Sequence, residues 1–411
     1  MGKASGSEFI FREIQLCAAC GSINLQLVFD FGNVPLAGYF PKPEEDVIPL
    51  LPMKLLFCKD CTLYQITPDV SDDYLFRDYR YVSSIGMQSH FNELAEWFVE
   101  TQEPDTGCRI LELGCNDGPL LHALTERGFS PVGIDPARNI VNIARKKGFN
   151  VINDFFNMSA YKKYEELRNL DYIFSSNSFA HISDIRSIVE AAEKSLAPGG
   201  QFIIEVQSLE QMYENGAFDF VYHEHKYYYS VESMSNLMAQ FNLHLIECTK
   251  IKAHGGSLRF VFRKSKSDSE REVMATHPKC GSSPVTPELL ALAIREYSAA
   301  LAELDLRVQS EQSNGNVVAA FGASGRANML LGNLPLTRNA LKFVVDESPE
   351  RIGREMAQNG VKIVGFDALA DQKVDVIIIL AWNFAEIIVS KLPKMNYRVL
   401  IPLPHFREIT H

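Results

Sequence analysis

The sequence predicts an α/β protein, built as a doubly wound parallel sheet with a small metal-binding domain before it and a second sheet of similar kind after it. Three observations carry that expectation. Two Cys-x-x-Cys pairs, Cys17/Cys20 and Cys58/Cys61, lie near the amino terminus. A strand, a glycine turn and a helix succeed one another over 109–127, and strand–helix alternation continues to Val206. A second small-residue turn, Gly322 to Arg326, follows a strand in the last third.

A chain of 411 residues is too long for one ordinary core and implies two or three domains. Boundaries are expected at 1–75, 76–265 and 286–411, with the polar stretch 264–285 as linker. The apolar share of 46% and charged share of 22% are those of a soluble globular protein. Formal net charge is 40 − 51 = −11, which argues against nucleic acid as partner, because a phosphate backbone needs a basic face. Val376 to Trp382, the most apolar run, is far too short to span a membrane and reads as a buried strand. Met1 to Ser7 has no secretory character, so a cytoplasmic protein is expected.

The two cysteine pairs are separated by 37 residues. Thiolates three positions apart grip one side of a tetrahedral zinc, and a second pair closes the other side. Four protein ligands leave no open position, so Cys17, Cys20, Cys58 and Cys61 are expected to hold a structural zinc. Phe31 to Ala37, between the pairs, reads as a turn-rich linker with apolar anchors. Beyond them, Tyr74, Tyr79 and Tyr81 either cover the next domain or place a phenol in its cleft.

Arg109 to Gly118 is a short apolar strand running into a glycine turn, which lets a ligand approach the backbone and the amino end of the next helix. Val132 to Pro136 is a second strand. Its terminal Asp135, 21 residues beyond Gly114, can accept both hydroxyls of a ribose. Further strands are expected at 151–156, 171–177 and 201–206, with a helix over 183–196 and a turn at Ala197 to Gly200. A dehydrogenase is the rival reading, but its Gly-x-Gly-x-x-Gly fingerprint is absent.

Proton-handling residues gather after the strands. Tyr222-His223-Glu224-His225 puts a phenol, a carboxylate and two imidazoles in four positions, and imidazole titrates near neutral pH. On a strand, His223 and His225 would share a face, which also suits a metal pair. His181 follows the fourth strand. His254-Gly255-Gly256 allows close approach to something bound. In the last third, Thr286 caps a helix with Pro287 in its first turn. Strands are expected at 316–321, 341–346 and 374–380. The Gly322 turn either cradles phosphates through its amides, with Arg326 as counter-charge, or merely packs helix on strand.

Leu111-Glu112-Leu113-Gly114-Cys115-Asn116-Asp117-Gly118 resembles the first motif of class I S-adenosylmethionine-dependent methyltransferases. Asp135 matches that family's ribose-binding acid, Asp154-Phe155 its adenine loop, and Ala197 to Gly200 its late turn. The resemblance implies cofactor contacts at Gly114, Asn116, Asp117, Gly118, Asp135, Pro136, Asp154, Phe155 and Asn177. A narrower resemblance runs from Cys17 to about His405. It is to the C-methyltransferases of nucleotide-linked 4-keto deoxysugars, with an amino-terminal zinc domain and a carboxy-terminal Rossmann-like domain. The matching residues are the cysteine pairs, Tyr79-x-Tyr81-x-Ser83-Ser84, Asn177 to His181, Tyr222-x-Glu224-His225, His254 to Gly256, Gly322 to Ser324 and Ala381 to Asn383. The chain departs from the family pattern at His223, in place of an acid, and at Gly325-Arg326, in place of Ala-Lys.

That resemblance implies zinc and S-adenosylmethionine as cofactors and methylation of a dTDP-linked sugar at C3, on a monomer or weak oligomer. It makes His225 the base. Glu224 would orient His225 or bind a sugar substituent, Tyr222 and His181 would serve the enolate oxygen or relay protons, and Tyr79 or Tyr81 would close the site. His254, Gly322, Ser324 and Arg326 become substrate contacts.

Overall fold

The computed structural model describes residues 11–43, 50–76, 83–266, 284–332, 334, 340–357 and 359–410. Tyr79, Tyr81 and most of the expected linker lie outside these residues, as does the side chain of His254. The chain divides into two units. One gathers Met1–Gln26, Leu56–Gln211 and Lys226–Pro284; the other gathers Leu27–Leu55, Met212–His225 and Val285–His411.

In the first unit, β1 (Phe11–Arg12) pairs with β5 (Asp69–Val70), and β4 (Tyr64–Thr67) pairs antiparallel with β11 (Tyr227–Tyr228). Its main sheet uses β6 (Ile110–Leu113), β7 (Val132–Ile134), β8 (Asn150–Ile152), β9 (Leu170–Ser176), β10 (Leu196–Gln207), β12 (Leu243–Ile251) and β13 (Ser257–Lys264). Their spatial order is β12-β13-β10-β9-β6-β7-β8, parallel from β10 to β8. Strand β6 is buried on both faces, as a central parallel strand must be. The order reverses between β6 and β9, and a ligand crevice opens at such a switch point. The turn expected at Ala197 to Gly200 is instead part of β10. A register shift between Leu196 and Gln201 takes up the extra residues, with Gly199 at φ 83.

The second unit repeats the plan. Strands β14 (Val318–Phe321), β15 (Val344–Val345), β16 (Ile363–Val364), β17 (Val376–Ile379), β18 (Arg398–Ile401) and β19 (Arg407–Thr410) lie in the order β16-β15-β14-β17-β18-β19. All pairs are parallel except β18 with β19. The strand expected over 341–346 contracts to two residues, although Lys342 and Phe343 still bond to β14. Thr286 caps the long helix as expected, its hydroxyl accepting from Leu289 N at 3.3 Å. That helix runs on to Ser313 because its buried stripe continues through Leu304 and Val308.

The expected linker Phe31 to Ala37 proves to be structured. It begins within β2 (Leu25–Val34), while β3 (Leu51–Cys58) leads into the second cysteine pair. Val34, Leu36 and Ala37 are buried. Buried Asn328 fastens this segment, donating to the carbonyls of Ala37 and Tyr39 at 3.0 and 2.8 Å and accepting from Ala357 N at 3.1 Å. All three bonds satisfy backbone groups that would otherwise be buried unpaired.

Candidate active site

The four cysteines converge. Their sulfur atoms lie within 4.8 Å of one another, with Cys17–Cys61 at 3.4 Å and Cys20–Cys58 at 3.6 Å. Each knuckle closes on a left-handed residue, Gly21 (φ 75) and Thr62 (φ 64), whose N–H returns to Cys17 O or Cys58 O. Four convergent thiols fit a tetrahedral zinc and leave no position for substrate, so the metal they hold is structural. No other group of three or more potential ligands forms among the described residues.

The glycine turn after β6 is built around Asp135. Gly114 (φ 66) donates to Ile134 O at 2.8 Å, and a Cβ there would lie 2.6 Å from the Ser178 Cβ. Asn116 (φ 49) and Ala137 donate their N–H groups to the two Asp135 oxygens at 3.0 and 2.8 Å. Burial pushes this carboxyl up despite both bonds. Asn153 ties Pro136 in place, donating to its carbonyl and to that of Asp135, each at 3.0 Å. Asn177, at the end of β9, is also left-handed (φ 58), with its N–H on Glu205 O.

Other expected cofactor residues have protein partners. Asp117 is fully buried and takes the Lys147 ammonium at 2.5 Å, so it anchors the turn from behind. Gly118 (φ 86) admits the Phe149 ring, 2.6 Å from where a Cβ would stand. Burial alone would raise the Asp154 carboxyl. Bonds from Lys163 (2.8 Å) and Tyr164 (3.0 Å) outweigh that and hold it below its usual value. Phe155 N donates to Asp154 at 3.0 Å.

Two acids escaped the sequence reading. Glu112, inside β6, has one oxygen with no partner, and burial beside Asp135 and Asp117 pushes its carboxyl well up. Its signal was only a charge in an apolar strand. Glu205 on β10 collects His90 (2.7 Å), Ser176 (2.6 Å) and Arg259 (2.8 Å). Burial would raise it, but those partners hold it low. Asp135 with two oriented oxygens and Glu112 with an orphaned one fit a ligand that brings hydroxyl and N–H donors, as S-adenosylmethionine does.

Tyr222 to His225 is a turn, not a strand: His225 N bonds back to Tyr222 O at 2.9 Å. The alternation expected of a strand therefore fails, and the four side chains split into two pairs. Tyr222 stacks on His225 (centroids 4.1 Å, 29°), and its hydroxyl lies 2.8 Å from His225 Nε2. His225 Nδ1 lies 3.1 Å from Phe220 O. A carbonyl only accepts, so Nδ1 carries the hydrogen and neutral His225 keeps its lone pair on Nε2. His223 and Glu224 turn the other way. His223 is wholly buried and donates to Pro52 O at 3.2 Å; burial pulls it down to about 4, so it is neutral. Glu224 accepts from Gly38 N at 2.8 Å. His225 Nδ1 is oriented by the Phe220 carbonyl.

His181 sits in the short turn Phe179–His181 after β9, edge-on to Phe76 at 5.7 Å. Nearby, buried Lys226 joins Asp69 (2.6 Å), Asp72 (2.5 Å) and Val70 O (2.8 Å) and donates its own N–H to Ala180 O at 2.8 Å.

The turn after β14 is internally paired. Gly322 (φ 97) donates to Val345 O, and Ala323 N donates to Asp346 at 2.7 Å. Ser324 caps the next helix, its hydroxyl accepting from Ala327 N at 3.2 Å. Arg326, read as a counter-charge if the turn cradles phosphates, grips Asp219 with two bonds of 2.8 and 2.9 Å.

Three family models match successive parts of the chain: "Putative zinc binding domain" over 17–76, "Methyltransferase domain" over 86–248 and "C-methyltransferase C-terminal domain" over 252–404. The C-methyltransferase NovU of Streptomyces niveus is 28% identical over 98% of this chain and 98% of its own length. A ubiquinone biosynthesis O-methyltransferase of Rhizobium etli is 26% identical, over 26% of this chain and 43% of its own. Among solved structures, magnesium protoporphyrin IX methyltransferase from Synechocystis aligns with 47% of this chain and 88% of its own at 11% identity, with a TM-score of 0.35. Similarity over the full length is thus to a C-methyltransferase, and similarity to the O-methyltransferase is confined to part of the chain.

Proposed function

We propose that the chain is an S-adenosylmethionine-dependent C-methyltransferase with an amino-terminal zinc-binding domain, and that its substrate is a nucleotide-linked 4-keto deoxysugar, dTDP-linked and methylated at C3. The observation that supports this most is the fixed tautomer of His225. Methylating carbon requires a base with an available lone pair over an acidified C–H. Phe220 O leaves that lone pair on Nε2.

When bound, S-adenosylmethionine supplies an electrophilic methyl group, held by the Gly114 turn, Asp135, Asp154 and Asn177. The protein's own task is the proton. His225 Nε2 takes the proton from C3, and the electron pair of that C–H bond moves into the ring toward the 4-keto oxygen as an enolate. Tyr222 donates to the same Nε2 at rest and gives up that lone pair when the C–H arrives. His181 is assigned to the enolate oxygen, Tyr79 or Tyr81 to closure of the site, and Glu224 to holding the catalytic turn through Gly38. His254, Gly322 and Ser324 are assigned to the nucleotide sugar.

His225→Asn should abolish turnover while zinc content and S-adenosylmethionine affinity stay at wild-type values. A near wild-type rate would remove His225 as base. Product NMR separates the reaction classes: a methyl singlet on a quaternary carbon supports C-methylation, and a methoxy signal would mean O-methylation. Deuterium exchange at C3 of a dTDP- or GDP-4-keto deoxysugar, without cofactor, tests both the substrate class and the acidic carbon.

A further inference from the structure

Arg326 is the counter-charge if the Gly322 turn cradles phosphates, yet its charge is already engaged. Its side chain is 13% exposed, and its guanidinium makes a bidentate pair with Asp219, whose side chain is fully buried. Trp382 Nε1 donates to the same carboxylate at 2.9 Å. The guanidinium also lies over the Phe220 ring, 3.8 Å from its centroid, and 4.9 Å from that of Trp382. Asp219 and Phe220 belong to one short turn, Phe218–Phe220. The Phe220 carbonyl reaches His225 Nδ1, and its ring is parallel to the imidazole (7°, centroids 6.1 Å apart).

We propose that Arg326 is a positioning residue for His225: by fixing Asp219 and Phe220 it keeps the Phe220 carbonyl on Nδ1 and so the imidazole in the form whose Nε2 can accept a proton. A planar fork suits this role, because one group satisfies both carboxylate oxygens and also stacks on a ring. A cation with its carboxylate buried beneath it is a poor phosphate ligand, since binding phosphate would mean giving up that pair. The effect on turnover rests on His225 being the base; the imidazole's tautomer is a separate observable.

The test is Arg326→Lys in protein labelled with 15N at histidine. Lysine keeps the charge but loses the bidentate fork and the flat contact with Phe220. In the wild type, the His225 nitrogen shifts should report the Nδ1–H form. In the variant, both tautomers should be populated and kcat should fall roughly tenfold or more, as small misplacements of catalytic groups do. KM for the nucleotide sugar and affinity for S-adenosylmethionine should stay within about twofold of wild type, a margin of about 0.4 kcal/mol. A raised KM with kcat and tautomer unchanged would make Arg326 a phosphate ligand and overturn the proposal. So would no change at all. Trp382→Phe, which removes one bond to Asp219 and keeps a ring, should shift the tautomer in the same direction by less, and it decides the matter if the lysine variant does not fold. If His225→Asn proves active, the base assignment fails, while the nitrogen shifts still decide whether Arg326 positions the ring.

Discussion

After β6 the chain turns at Gly114, and after β14 it turns at Gly322, each with positive φ. In both units the next strand ends in an aspartate that accepts one N–H from the turn and another from the residue two places beyond itself. Asp135 takes Asn116 and Ala137; Asp346 takes Ala323 and Ser348, at 2.7 and 2.8 Å. The difference lies in what neutralises the acid. Arg351 reaches both oxygens of Asp346, at 3.2 and 3.1 Å. No cation pairs with Asp135 among the described residues, and burial raises it. A buried acid without a cation is costly, and a ligand's hydroxyls can offset that cost. The acid of the second unit is complete without a ligand. One backbone plan thus gives, in the first unit, a turn whose acid has no cation among the described residues, the place proposed for the cofactor, and, in the second, a turn whose acid is paired with Arg351.

The sharpest way to break this contrast is to remove each acid. Asp135→Ala should weaken S-adenosylmethionine binding by roughly 30- to 100-fold, about 2–3 kcal/mol, because it removes a charged acceptor. Asp346→Ala should leave that affinity unchanged. Calorimetry with both variants decides, and equal losses would erase the asymmetry. Alanine at the two glycines should cost a little less. A Cβ at Gly322 would stand 2.6 Å from the Ala381 Cβ, with φ 97 well outside the left-handed region open to alanine. Denaturant unfolding should show a loss of about 2–3 kcal/mol for Gly322→Ala, with S-adenosylmethionine affinity intact in what folds. Gly114→Ala, at φ 66, should lose less stability but weaken cofactor binding.

Legibility in the sequence followed locality. The cysteine pairs, the Gly114 and Gly322 turns, Asp135 and the Thr286 cap were readable because spacing along the chain sets their geometry. Not readable were the contacts whose partner is remote in sequence. Asp117 meets Lys147, Glu224 meets Gly38 and Arg326 meets Asp219. No periodicity encodes such pairs. Tyr222 to His225 was located as a cluster, but its split into two pairs depends on a turn that the run of polar residues does not reveal. Where the apolar anchors of segment 31–37 pack was not readable for a related reason: they sit beside a helix almost three hundred residues away, as the separation of 291 between Asn328 and Ala37 shows.

The smallest expected effects, opposite in sign, carry the contrast into pH. In the first unit Glu112 has a carboxyl raised by burial. Its protonated form is favoured in the fold, so stability is full below the ordinary glutamate value of about 4.3 and falls as pH rises toward its folded value. Glu112→Gln should therefore match wild type near pH 4 and gain over it as pH rises, by a few degrees in Tm for about 1 kcal/mol. In the second unit His223 is lowered from 6.5 to about 4 by burial. Its contribution is full above 6.5 and is lost as pH falls through that window. His223→Gln keeps a donor for Pro52 O and cannot charge, so its stability should be flatter than wild type between those values. Thermal unfolding across pH 4–8 reads both variants. If the two difference curves slope the same way, the buried groups of the two units are not in the protonation states assigned to them here.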